Sequence, residues 1–246
     1  MRLKTTEIMK CLEEHKMFVD KYLSPECYVS FTSNKKHYNM TLKDFFDSTI
    51  ESVSPNREKF FESIATRNSN LKNSKILEIG VANGSNAMRI YNNLKPKKMW
   101  LIDPWINQNK RSADRGHSKK VHNEAYEHTK KRFENLNVQI IKDFAENVVD
   151  LFEDEFFDFI YIDGDHSYHG CKKDLNLYYP KLKMGGFFGG HDFTGNWNSL
   201  YNKSYGVQKA VGEFLLENNK KLDFITTCIE TKKPNLILPF DWGFIK

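Results

Sequence analysis

The stretch from Lys75 to Ala87, K-I-L-E-I-G-V-A-N-G-S-N-A, constrains the fold more than any other part of the chain. Ile76, Leu77 and Ile79 form an apolar run long enough for a strand buried on both faces and too short for a helix. The run ends in Gly80-Val81-Ala82-Asn83-Gly84, where two glycines let the backbone turn sharply and let a ligand approach unobstructed. Ser85 then opens a helical segment to Leu94. A strand, a glycine turn and a helix N-terminus make an edge suited to a nucleotide-like ligand, because the first amides of a helix have no partner within it. The spacing is G-x-x-x-G, with Glu78 two places before the first glycine, and departs from the G-x-G-x-x-G of dinucleotide sites. A tight βα turn that binds nothing has the same local chemistry.

Beyond this unit, strand and helix signals alternate. Lys98–Asp103, Asn137–Lys142, Phe157–Asp163 and Gly185–His191 read as strands, and Leu222–Glu230 with Asn235–Lys246 as a closing antiparallel hairpin. Between the fourth and fifth strands Tyr168, Cys171, Leu175, Tyr178 and Leu182 recur at helical spacing. The expected fold is α/β: a doubly wound, Rossmann-like, seven-stranded, mostly parallel sheet with an antiparallel edge strand, over residues 71–246. Residues 1–70 read as a helical appendage. Helices are expected over Thr6–Tyr22, over Thr41–Val53, and from a Ser54 cap with Pro55 at the first helical position, with Ser24–Met40 irregular. Such an appendage packs beside the crevice or builds a homo-oligomer. The connection from Pro104 to Val121 is long enough for a lid or acceptor-binding loop, or for a solvated excursion.

Composition narrows the classes. No apolar run reaches the ~18 residues of a membrane span, and the N-terminus lacks the apolar core of a signal peptide, so a cytoplasmic protein is expected. The four cysteines, Cys11, Cys27, Cys171 and Cys228, form no C-x-x-C pair and suggest neither a zinc knuckle nor a disulfide framework. The net charge of +5 is spread along the chain rather than gathered in a block, which speaks against a nucleic-acid partner.

A second constellation follows the fourth and fifth strands. One runs into Asp163-Gly164-Asp165-His166-Ser167-Tyr168, the other into Gly190-His191-Asp192. If the two strands are parallel neighbours, their carboxyl ends lie about 5 Å apart, and Asp163, His191 and Asp192 meet at the sheet edge that carries Gly80. Two carboxylates and an imidazole suit a divalent ion. In the alternative, Asp163 caps the following helix and His191 is a hydrogen-bonded core residue.

Four blocks, Leu77-Glu78-Ile79-Gly80, Leu101-Ile102-Asp103-Pro104-Trp105, Asp163 to Tyr168 and Gly190-His191-Asp192, give the chain from Ile76 to Phe193 a resemblance to the class I S-adenosylmethionine (AdoMet) dependent O-methyltransferases. It is similar to the branch of macrocin-type sugar methyltransferases and, more distantly, the catechol and caffeoyl-CoA types. The resemblance implies AdoMet as cofactor, held by Glu78, Gly80, Asn83, Gly84, Ser85, Asp103, Trp105, Asp143, Phe144 and Asp163, with Asp103 on the ribose and Asp143 and Phe144 near the adenine. It implies magnesium on Asp163 and Asp192, and Asp165 as a base. His191 stands where the catechol-type enzymes carry a metal-binding aspartate, so His191 joins the metal ligands or serves, with Asp165 and His166, as a candidate catalytic base. The implied acceptor is a small molecule or a sugar, such as a surface-polysaccharide or natural-product precursor. Two rivals stay open: an RNA or other nucleic-acid methyltransferase, although no N-P-P-Y or D-P-P-Y sequence is present, and a catalytically silent partner subunit on the same fold. An NAD-dependent sugar enzyme would need Tyr168-x-x-x-Lys172 as its catalytic pair, and that tyrosine belongs to a buried helix face.

Overall fold

The computed structural model describes residues 21–33, 35–41, 43–44, 54–106, 118–193, 206–229 and 237–246. The expected helices over Thr6–Tyr22 and Thr41–Val53, and the middle of the Pro104–Val121 connection, lie mostly outside these residues. Strand β4 (Lys75–Ile79) pairs in parallel with β5 (Lys98–Ile102) on one side and β7 (Phe157–Ile162) on the other. Outside these, β6 (Val138–Ile141) pairs with β5 and β8 (Leu182–Gly190) with β7, again in parallel. Strand β10 (Ile237–Ile245) runs antiparallel between β8 and β9 (Leu222–Ile229). All seven expected strands are present in a mostly parallel sheet.

The hairpin of β9 and β10 is not at the edge, because residues assigned to a helical appendage extend the sheet beyond it. β1 (Leu23–Ser33) lies parallel to β9, and β2 (Lys36–Thr41) pairs antiparallel with β1 as the edge strand. With the short β3 (Ser54–Pro55) against β1, the sheet has ten strands among the described residues, in the order β2-β1-β9-β10-β8-β7-β4-β5-β6 with β3 off that path. The irregular segment expected at Ser24–Met40 is corrected accordingly. Cys27, Val29 and Phe31 alternate and are fully buried, a strand signature. Pro25 sits where the pairing with β9 shifts register, between Leu23 and Tyr28. Ser54-Pro55 is likewise strand and not a helix start. The helix that follows, α1 (Arg57–Arg67), is capped by Asn56, whose side chain accepts from the Lys59 amide at 2.9 Å.

The other α-helices that lie wholly within the described residues are α2 (Ser85–Leu94), α3 (Lys119–Phe133), α4 (Ala145–Val148), α5 (Tyr168–Tyr178) and α6 (Val207–Glu217). Strand alternation sorts side chains between two cores. Ile76, Met99, Leu101, Phe159 and Tyr161 pack with Phe60, Phe61 and Ile64 of α1 and Ala87 and Ile90 of α2. Leu77, Ile79, Ile102, Ile160 and Ile162 pack on the other face with Cys171 and Leu175 of α5 and Val211 and Phe214 of α6. Leu182, expected to continue the α5 face, is buried but begins β8. Cys27 and Cys171 are free, buried thiols. Among the described residues no helix is long and apolar enough to cross a membrane.

Candidate functional site

The site is set by sheet register. Gly80, Asp103, Asp163 and His191 are each the first residue past a parallel strand, and each amide donates to a carbonyl at the end of the neighbouring strand. Gly80 donates to Ile102 (2.9 Å), Asp103 to Ile141 (3.2 Å), Asp163 to Ile79 (2.7 Å) and His191 to Ile162 (3.1 Å). Four chain reversals therefore line up along the carboxyl edge of the sheet, where open α/β sheets bind ligands. A cleft of about 670 Å³ opens there.

The glycine turn is fixed from both sides. Gly80 has φ +82, and a Cβ on it would collide with the Asp163–Gly164 backbone, so this glycine permits the close approach of two strand ends. Gly84, at φ +75, precedes α2 and packs on Phe133. The Asp103 carboxylate accepts from the amides of Val81 (2.8 Å) and Ala82 (2.9 Å) on one oxygen and of Trp105 (2.7 Å) on the other. Trp105, itself at φ +43 and buried, donates from its indole to the Ala82 carbonyl at 2.7 Å. Asn83 accepts from the Ser85 amide at 3.1 Å.

Of the residues expected at the cofactor, Gly80, Asn83, Ser85, Asp103, Trp105, Phe144 and Asp163 line the cleft, whereas Glu78, Gly84 and Asp143 do not. Asp143 instead accepts from the Phe144 amide and the Asn147 side chain, both at 2.7 Å, and shapes the turn into α4. Glu78 points into the α1/α2 core, fully buried, accepting one bond from Asn86 Nδ2 at 2.9 Å while its second oxygen finds no partner. Burial pushes its pKa up to about 8, against the Asn86 hydrogen bond.

At the β7 and β8 ends two imidazoles alternate with two carboxylates. His166 Nε2 lies 3.3 Å from Asp163 Oδ1 and 3.2 Å from Asp192 Oδ2, and His191 Nδ1 lies 3.2 Å from Asp192 Oδ1 and 3.7 Å from Asp163 Oδ1. Asp163, His191 and Asp192 each offer one donor atom, all within 4.8 Å of one another, so the trio can hold a divalent ion. Although burial opposes it, the charge of Asp163 and the hydrogen bond to Asp192 raise the His191 pKa; burial also opposes, and His191 outweighs, the lowering at Asp192. Asp192 has φ +59, in the left-handed region that aspartate visits more readily than most residues. The carboxylate expected as a base, Asp165, is set apart from this ring: it accepts from the Ser167 amide at 2.9 Å, packs against Gly170 and still lines the cleft. Tyr168 and Lys172 are both bound to Glu213, at 2.6 and 2.8 Å, which leaves them a structural role between α5 and α6.

Two residues at the site had no sequence signal. Arg57, the first residue of α1, lines the cleft and binds Asp241 through Nε at 2.9 Å. Asp241 in β10 is fully buried and also accepts from the Tyr161 hydroxyl (2.6 Å) and the Thr226 hydroxyl (2.7 Å). A lone arginine in a polar N-terminal segment and a lone aspartate in a closing strand are unremarkable until the sheet brings them together.

Residues 77–193 match the family model described as a methyltransferase domain. Among solved structures, the chain is similar to an O-methyltransferase from Bacillus cereus in complex with SAH, at 15% identity and TM-score 0.53, over 99% of this chain and 92% of that one. It is also similar to the N-methyltransferase NodS from Bradyrhizobium japonicum WM9 in complex with S-adenosyl-L-homocysteine, at 13% identity and TM-score 0.52, over 77% of this chain and 86% of that one. At these identities the likeness establishes the fold. No curated protein matches the chain by sequence.

Proposed function

We propose, from the match of residues 77–193 to the methyltransferase-domain model, that the protein is an AdoMet-dependent O-methyltransferase acting on a hydroxyl of a small molecule or sugar, assisted by a divalent metal. The observation that carries this reading is the ring of Asp163, His166, Asp192 and His191, of which Asp163 and His166 line the cleft that also takes in the glycine turn. AdoMet supplies a methyl group already activated on a sulfonium. The protein's part is to align the acceptor and remove its proton.

Asp103 has a lone pair left on Oδ1 after its three backbone donors, and it faces the ribose in this reading, with Phe144 beside the adenine. Asp163, Asp192 and His191 are the metal ligands. A bound divalent ion would lower the pKa of an acceptor hydroxyl. Magnesium is the ion that the family resemblance implies; two carboxylates suit magnesium or manganese, and the imidazole extends the donor set toward a borderline ion such as iron. His166 takes the acceptor's proton, since its ring touches both carboxylates and also lines the cleft. Asp165 holds the turn that presents it.

Calorimetric titration of the purified protein with S-adenosylhomocysteine and with NAD, each with manganese and again with EDTA, tests the reading. Micromolar binding of the homocysteine ligand and none of NAD is expected. Manganese should bind the wild type and His166→Ala, and Asp163→Ala and Asp192→Ala should lose it. Failure of a folded sample to bind the adenosyl ligand would sink the assignment, and manganese binding unaffected by Asp163→Ala would sink the metal.

A further inference from the structure

Three Lys and Arg side chains among the described residues line the cleft: Arg57, Arg89 and Lys173. Arg89 is engaged by Glu58 at 3.1 Å, and Lys173 by Glu146 at 2.7 Å. Glu146 is two residues past Phe144, so that pair sits toward the β6 end. Arg57 is different. Its Nε edge is fixed on buried Asp241, and Nη1 comes within 3.5 Å of Asn86 Oδ1 in the first turn of α2. The guanidinium has five N–H donors in a rigid fork. These two contacts account for two of them, and the anchored fork stands beside the glycine turn.

The order of strands gives the cleft a direction. Phe144 follows β6, Asp103 follows β5, the glycine turn follows β4, and Asp163 follows β7, with β6-β5-β4-β7 adjacent in that order. AdoMet is a linear array of adenine, ribose, sulfonium and amino acid. With the adenine at Phe144, the ribose at Asp103 and the reacting methyl facing His166, the amino-acid tail falls across the glycine turn toward Asn86. We propose that Arg57 binds the carboxylate of the cofactor's methionyl end, using the Nη edge that Asp241 leaves open. This rests on the AdoMet reading and deepens it, for it assigns the one Lys or Arg among the described cleft-lining residues whose ionic partner lies in the core. Glu78, which shares Asn86 with Arg57, is kept largely protonated by burial, and the Asp241 charge is dispersed over two hydroxyl donors, while Asp163 and Asp192, which also act on the guanidinium, share their charge with the metal in this reading. A guanidinium suits a carboxylate because two parallel N–H bonds match its two oxygens.

The test compares two ligands by calorimetry: S-adenosylhomocysteine, which has the amino-acid tail, and 5′-methylthioadenosine, which keeps adenosine and the thioether and lacks the tail. Arg57→Ala should weaken the first by roughly ten- to a hundred-fold, as expected for a lost charge-assisted pair, and leave the second within about two-fold. Arg57→Lys should fall between. Because Arg57→Ala strands a buried carboxylate, the double variant Arg57→Ala/Asp241→Asn serves as a folding control, and the selective loss should persist in it. Equal weakening of both ligands, no weakening of either, or recovery of homocysteine affinity in the double variant overturns the proposal. A wild type that binds neither ligand brings down the AdoMet reading itself, a result distinct from failure of the Arg57 assignment.

Discussion

Glu78 carries a carboxyl that the fold keeps neutral. Folded, it holds its proton up to about pH 8, whereas its ordinary value is 4.5. Between these values the folded state binds more protons than the unfolded one, so the stability linked to this group is complete below about pH 4.5 and is lost as pH rises toward 8. Glu78→Gln has no proton to lose. Urea denaturation of both proteins between about pH 5 and 8 should show the variant gaining on the wild type by a few kcal/mol as pH rises, and a constant difference would refute the assignment. The acidic residue two places before the glycine was visible in the sequence, but its role was not. Spacing placed it by the turn, and strand alternation turned it into the α1/α2 core, where Asn86 is its recorded partner. The same applies to Gly80, whose conformational freedom was legible although the neighbour requiring it, the Asp163–Gly164 backbone, belongs to another strand.

Among the elements, the strands from β4 to β10 announced themselves through apolar runs and glycine-rich ends. β1 was hidden because Pro25, Glu26 and several serines and threonines interrupt its apolar run, and because β9, the partner that joins it to the rest of the sheet, lies far along the sequence. Ser30 shows the difficulty: it is polar and fully buried, next to fully buried Phe31. Helix α3 escaped for the opposite reason, with only Thr129 and Phe133 buried along fifteen residues of mostly charged and polar side chains. If β1 is integral to the sheet, Phe31, which stacks on Tyr38 with centroids 5.0 Å apart, is a core residue. Phe31→Ala should then cost about 3–5 kcal/mol in denaturant unfolding. A loss under about 1 kcal/mol would mean that β1 and β2 are a detachable fringe.

For the molecule as a whole, the cleft draws on turns after β4, β5, β6 and β7, with the His191–Asp192 turn after β8 against it, and a ligand seated there reports on all of them. An adenosyl ligand that binds only the folded state should stabilise it by about 2.7 kcal/mol at a hundredfold excess over its dissociation constant. Thermal melting with and without S-adenosylhomocysteine checks this, and a melting temperature indifferent to saturating ligand would count against the cleft as the binding site. The general position of the site was legible because parallel strands of an open sheet present their carboxyl ends together. The pairing of Arg57 with Asp241 was not, since it depends on β10 running back between β8 and β9. That pairing has a temporal side. As the chain leaves the ribosome, the sequence through Gly190 can be present while Arg57 still lacks the carboxylate that aims it, which arrives only with β10. A nascent or C-terminally clipped chain would own the residues that line the cleft and still have an unanchored arginine, so on the proposed role of Arg57 its grip on the ligand's amino-acid tail would be weaker until residue 241 has been made.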